Sequence, residues 1–212
     1  MCGRYALFEF KNLHNQFNID SDIQMPERYN IAPHQIAPVI KEINGKPSLL
    51  HAIWGLKPSW ATEAMPQPIN AKVETAAEKP FFRNAWKRSR IIVPASGYYE
   101  WKTTAAGKQP YFIYPRSGLF GFAGLLEYYE EIPNFTILTT SANALTKEIH
   151  DRMPVILEPA SYGDWLKATN DNNALLRQIT GQYSSEKMQF HEANKAVGNV
   201  KNEGKYLISN KQ

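Results

Sequence analysis

The chain has 212 residues, 43% of them apolar and 21% charged, an ordinary balance for a globular protein long enough to bury a full core. Its 24 Lys and Arg against 20 Asp and Glu leave a net charge of +4, which permits a polyanionic partner without demanding one. A single cysteine excludes an intramolecular disulfide and a thiol-only metal site, and no apolar run approaches the ~18 residues of a membrane span. The first residues show neither the basic nor the apolar region of an export signal. With one free thiol, this points to a reducing, intracellular setting: cytoplasmic and, in a bacterium, nucleoid-associated.

Arg4 to Phe8 reads as a short strand, after which Phe10, Leu13 and Phe17 recur at helical spacing. A polar loop over 20–28 leads to Tyr29-Asn30-Ile31-Ala32-Pro33. Ile36 to Glu42 and Ser48 to Trp54 are strand-like runs joined around Asn44-Gly45, a hairpin signal. A Pro-rich polar loop runs from Trp54 to Asn70. Residues 71–90 read as helical pieces broken at Pro80, and Lys79, Arg83, Lys87, Arg88 and Arg90 make them the most basic stretch. Strands are expected over 91–93, 97–103, 111–114, 119–125, 135–140 and 155–157, and helices over 143–149, 160–168 and 173–179. No repeat, low-complexity tract or linker interrupts the chain. The expectation is one α+β domain over 1–212, built on a curved, mostly antiparallel, barrel-like sheet with peripheral helices.

Four segments carry residues suited to chemistry. Cys2 follows the initiator methionine directly, and small second residues generally allow that methionine to be trimmed. A terminal cysteine bears an amine and a thiol on neighbouring carbons. The amine, with a reference pKa of roughly 7.7–8.0, adds to an aldehyde to form an imine, and the thiol then closes a five-membered thiazolidine. With Met1 in place the nitrogen is an amide and the ring cannot form. Asn70 in Asn-Ala-Lys-Val-Glu-Thr is either a helix cap or an amide placed to orient a carbonyl or hydroxyl. In Gly97-Tyr98-Tyr99-Glu100-Trp101, strand alternation puts Tyr98 and Glu100 on one face and Tyr99 and Trp101 on the other. Water-excluding aromatic neighbours would suit Glu100 to proton transfer, whereas an open sheet face would leave it solvated. His150, at an expected helix end before Pro154, is the side chain best placed to shuttle protons near neutral pH. The remaining histidines, His14, His34, His51 and His191, fall in no metal-site spacing. Gly198 to Lys205 is not a phosphate loop: five residues separate its glycines where that motif has four, and Tyr206 stands where Ser or Thr would bind magnesium.

The order of these segments carries more than any one of them. Met-Cys-Gly-Arg-Tyr at 1–5, Tyr-Asn-Ile-Ala-Pro at 29–33, Trp-Gly-Leu at 54–56 and Pro-Ser-Trp at 58–60 precede Ile-Asn-Ala-Lys-Val-Glu-Thr at 69–75. Gly-Tyr-Tyr-Glu-Trp at 97–101, Ile-His-Asp-Arg-Met-Pro at 149–154 and Val-Gly-Asn-Val-Lys-Asn at 197–202 follow. Together they closely resemble the SOS-response-associated peptidase family of abasic-site-processing proteins, over nearly the whole chain. The resemblance implies a barrel-like α+β domain, a monomer, with a positive groove for single-stranded DNA, and neither a cofactor nor a metal. It implies a DNA-damage-response protein that cross-links its N-terminal cysteine to the ring-opened aldehyde of an abasic site, shielding that site, and that also reverses the link. Carried over by motif, the catalytic residues are Cys2, Asn70, Glu100 and His150. Asn70 would hold the sugar and terminus, Glu100 would move protons as the imine forms, and His150 would assist sugar ring opening. The DNA-binding residues are Arg4, Asn30, Pro33, Trp60, Lys72 and Arg152, with the arginines on phosphate and Trp60 against a base. Lys72 departs from the arginine many relatives carry and loses bidentate phosphate contact. Leu126 replaces a frequent aromatic and is read as packing.

Two other readings compete. A Cys2–His150 pair is chemically sufficient for a thiol autopeptidase that removes its own leader, or for lyase-like chemistry. A basic groove with aromatics is sufficient for non-covalent binding of single-stranded DNA.

Overall fold

The computed structural model describes residues 2–8, 10, 13–19, 25–167 and 172–209; Met1, on which the leader question turns, lies outside them. Thirteen strands are formed by the described residues: β1 (Arg4–Leu7), β2 (Arg28–Ile31), β3 (Ile36–Ile43), β4 (Lys46–Trp54), β5 (Asn70–Lys72), β6 (Arg90–Ala95), β7 (Gly97–Thr104), β8 (Gly107–Pro115), β9 (Phe120–Tyr129), β10 (Ile132–Ser141), β11 (Arg152–Pro154), β12 (Ile156–Leu157) and β13 (Met188–Glu192). Their helices are short: α1 (Leu13–Phe17), α2 (Val73–Ala76), α3 (Arg83–Arg88), α4 (Tyr162–Leu166) and α5 (Asn173–Ile179), with 3-10 turns between. This is an α+β fold, and no helix of the described residues is long and apolar enough to cross a membrane.

The β3–β4 hairpin turns on Asn44 and Gly45, both at positive φ (52° and 77°), as a two-residue turn matched to strand twist requires. β3 pairs with β4, β4 with β10, β10 with β9, β9 with β6 and β6 with β3, which closes a five-stranded barrel. Its interior is filled by side chains such as Trp54, stacked on Phe135 at 6.3 Å. A second sheet, in the order β13-β8-β7-β1-β2, lies against it. Tyr5 of β1 meets Trp54 edge-on at 5.3 Å and so ties the N-terminal strand to the barrel.

Register separates the two faces of β7 as alternation predicts. Tyr98 joins the main core with Cys2 and Tyr5, while Tyr99 packs in a second cluster with Ala6, Phe112 and Leu207, against which Trp101 rests. The close approach of β7 to β8 needs a glycine at 97. A Cβ there would fall 2.4 Å from the Phe112 ring and 2.7 Å from the Ile113 carbonyl. Gly97→Ala is therefore expected to destabilise the fold by about 1–3 kcal/mol through overpacking, read as a lower melting temperature.

Several expected elements differ. Asn70 does not cap a helix. It opens β5, and Lys72 occupies the N-cap of α2 with no side-chain cap bond. The helix expected over 143–149 is a 3-10 turn, Thr146–Glu148. Arg90 does not belong to the exposed basic stretch: it is buried, and its guanidinium donates to the carbonyls of Trp86, Trp165 and Lys167.

Candidate active site

Strand β10 is the rail on which the site is mounted. β4 and then β5 run parallel along one edge, the latter opposite Ile137 to Thr139. β9 and then β11 run antiparallel along the other, with β11 opposite Thr139 to Ser141. The loop before Asn70 is pinned to the barrel by Ile69, whose carbonyl accepts from Trp54 Nε1 at 2.9 Å and from the Ile137 amide at 3.1 Å. Asn70 thus leaves the barrel wall at a fixed height. Its Nδ2 donates to the Cys2 carbonyl at 2.8 Å, and its buried Oδ1 has no partner among the described residues.

Cys2 is buried. Just outside β1, whose register pairs Arg4 with Tyr99 and Tyr5 with Tyr98, it is brought into electrostatic contact with Glu100. Burial first, and then the Glu100 carboxylate, push its thiol well above the usual range, so at neutral pH the sulfur carries its proton. That sulfur donates a long bond, 3.8 Å, to the Arg4 carbonyl. Glu100 itself is only 4% exposed, so the Tyr98 side of β7 is a closed face and not a solvated one. Cys2, Asn70 and Glu100 are therefore brought together.

His150 follows the 3-10 turn, its amide donating to Thr146 O at 3.0 Å. Its Nδ1 lies 3.0 Å from the Arg152 amide and 2.8 Å from Asp151 Oδ1. The amide needs a bare Nδ1, the carboxylate a protonated one. Asp151 is 86% exposed, so water weakens its pull on the ring.

The expected DNA-contacting residues divide. Arg152 grips Glu74 through Nη1 (2.5 Å) and Nη2 (2.9 Å) and bonds Thr139 O at 2.6 Å, while its Nε has no partner among the described residues. That grip holds the Glu74 carboxyl below its usual range. Arg4 spends its guanidinium on Asn30 Oδ1 (2.8 Å) and on the carbonyls of Val197 (2.6 Å) and Gly198 (3.3 Å). Asn30, 1% exposed, donates to the carbonyls of Asn199 and Asn202, so it staples the C-terminal segment to β2. Lys72 is exposed at the end of β5, Pro33 is half-buried in the turn after β2, and Trp60 is 54% exposed with its ring edge-on to Phe81 at 5.5 Å. No ring contact or hydrogen bond joins Pro33 or Trp60 to Cys2 among the described residues. Glu74 and Thr139, which set Arg152, went unnoticed in the sequence, since neither stands in a spacing that marks a partner. No group of three His, Cys, Asp or Glu side chains among the described residues could hold a metal ion.

The fold is shared with a solved structure from Bacteroides thetaiotaomicron, at a TM-score of 0.82, 26% identity and coverage of 92% of this chain and 93% of that one. The family model for SOS response associated peptidase (SRAP) matches residues 1–200, and the chain belongs to that family. It is 38% identical to the abasic site processing protein YoqW of Bacillus subtilis, over 98% of this chain and 99% of that protein. It is 34% identical to the abasic site processing protein YedK of Escherichia coli, again over 98% and 99%. Against the abasic site processing protein HMCES of Xenopus tropicalis the identity is 30%, covering 86% of this chain and 65% of that one.

Proposed function

We propose that this protein acts on abasic sites in single-stranded DNA and links itself to them through Cys2 as a thiazolidine. The observation that carries the proposal is the anchoring of the Cys2 carbonyl by Asn70, which holds that residue's backbone against a buried carboxylate. In the reactive form Met1 has been removed and the Cys2 nitrogen is a free amine. The amine adds to the aldehyde carbon, and the carbinolamine loses water to give an imine. The S–H bond then breaks, sulfur bonds to the former aldehyde carbon, and the nitrogen gains a proton, so the net reaction releases one water. Asn70 fixes the backbone on which both nucleophiles sit. Glu100 gives and takes the protons, and His150 assists opening of the deoxyribose ring.

Arg152, Arg4, Lys72 and Trp60 are proposed as the DNA contacts, with Asn30 and Pro33 shaping the groove beside them. Arg152→Ala is expected to weaken binding of single-stranded DNA and to flatten its salt dependence, by about 0.7 in log–log slope for each phosphate no longer neutralised. Because Glu74 competes with phosphate for that guanidinium, Glu74→Gln is expected to tighten binding. Unchanged slopes in a salt titration of both variants would leave Arg152 as an internal ion pair only.

Incubation with single-stranded DNA, with and without one abasic site, followed by a denaturing gel, tests the function. A covalent band only with the abasic strand supports it. Peptide cleavage without a band would favour the autopeptidase, and salt-sensitive retention without a band the non-covalent binder.

A further inference from the structure

The basic stretch before β6 has no part in the steps above. Residues 78–88 carry Lys79, Arg83, Lys87 and Arg88 against one acid, Glu78. The Arg83 amide donates to the Lys79 carbonyl at 2.9 Å, so the helical path of α3 begins in the turn before it. Lys79, Arg83 and Lys87 recur four apart along that path and so form one row. The opposite face is spent on the core: Phe82, Ala85 and Trp86 are buried, while all four cations are exposed. No hydrogen bond or ion pair holds any of those four side chains among the described residues. The Glu127 carboxylate of β9 is taken by Asn84 instead, at 3.4 Å.

Helix electrostatics account for only half of these charges. Lys87 and Arg88 stand in the last turn of α3, where carbonyl ends favour cations. Lys79 and Arg83 stand at its start, where free amides favour acids, yet the first turn holds none. Like charges four apart also repel, so the row costs the free protein stability and suits a polyanion laid along it. Its N-terminal end meets Trp60. That ring, 54% exposed, lies edge-on to Phe81 at 5.5 Å, and Phe81 lies edge-on to Phe82, also at 5.5 Å. An exposed aromatic continued by a row of cations suits a single nucleic-acid strand, with bases stacked on the ring and phosphates on the charges. Four residues of helix rise about 6 Å, on the scale of the separation between neighbouring phosphates of a strand. An acidic peptide would use the cations and leave Trp60 idle.

We propose that Lys79, Arg83 and Lys87 form a second phosphate-binding tract, which holds the single strand where it runs on past Trp60. The proposal rests on the DNA-binding reading and deepens it: the strand is gripped at the cysteine and again along α3.

The test combines Lys79→Gln, Arg83→Gln and Lys87→Gln in one variant. A control removes the same net charge elsewhere, through Lys46→Gln, Lys108→Gln and Lys205→Gln, all at exposed positions. Non-covalent binding of undamaged oligothymidylates of increasing length is titrated with salt. For wild type, the log–log slope should steepen with length until the strand spans Trp60 and α3. In the α3 variant it should level off earlier, lower by about 2 for three phosphate contacts at about 0.7 each. Arg83→Lys with Lys87→Arg, which keeps both charges, should keep the slope. Melting of the α3 variant should be unchanged or raised, since repelling charges have been deleted. Wild-type slopes in the α3 variant would overturn the proposal. So would an equal loss in the control, which would reduce the effect to net charge. Lost retention on anionic phospholipid vesicles, with DNA slopes intact, would overturn it too and assign the row to a membrane surface. Undamaged strands carry no aldehyde, so the measurement is independent of the linkage. A wild-type protein that binds them but forms no adduct with an abasic strand would defeat the thiazolidine alone.

Discussion

Cys2→Ser is expected to abolish the stable adduct with abasic single-stranded DNA while leaving DNA binding largely intact. Serine keeps the terminal amine, so an imine still forms and can be trapped by a reducing agent, but ring closure through oxygen gives a less stable product than closure through sulfur. The DNA contacts proposed on Arg152, Lys72 and Trp60 are untouched by the change. Cys2 is also a fully buried core residue, so the variant's melting temperature should be measured beside its cross-linking. Undiminished, heat-stable cross-linking by a folded Cys2→Ser protein would rule out the thiazolidine.

Glu100→Gln is expected to slow adduct formation without changing where it ends. Imine formation must expel water, which a group able to give and take a proton accelerates, typically by about 10²–10⁴-fold. Glu100 is 4% exposed and faces Cys2 from β7, so little water is at hand to substitute for it. The finished ring needs no catalyst to persist, whereas its reopening needs the same proton transfers in reverse. Formation and release should therefore both slow, with the endpoint preserved. A time course with abasic DNA, chased with an excess of a hydroxylamine that captures released aldehyde, measures both directions. Wild-type rates in each would return Glu100 to an ordinary buried carboxyl.

The barrel was legible in the sequence because its strands are long and apolar: Ile36 to Glu42, Ser48 to Trp54 and Phe135 to Thr140 lie inside observed strands with nearly their expected limits. The strands that escaped were β2, β5, β11 and β13, of three to five residues each. Such short segments hold no periodicity of their own; Asn70–Lys72 is extended because Ile137 to Thr139 offers it a ladder. For the same reason Asn70 read as readily as a helix cap. Alternation did place Tyr98 opposite Tyr99 across β7, since a strand's period needs no partner. What the sequence could not give were the long-range pairs. Glu74 with Arg152, and Arg4 with Val197, are separated by 78 and 193 positions, and only the assembled sheets make them neighbours.

The stapling of Arg4 and Asn30 to the carbonyls of Val197, Gly198, Asn199 and Asn202 has a consequence for timing during synthesis. The N-terminal segment that carries Cys2 and β1 is translated first, yet its last anchors emerge from the ribosome last. A nascent chain therefore exposes Cys2 long before its surroundings exist, with Asn70 unpinned and Glu100 unburied. On the proposed chemistry, an unfinished chain is expected to react with stray aldehydes no faster than a free cysteine would, and enhanced capture to begin only when translation is complete.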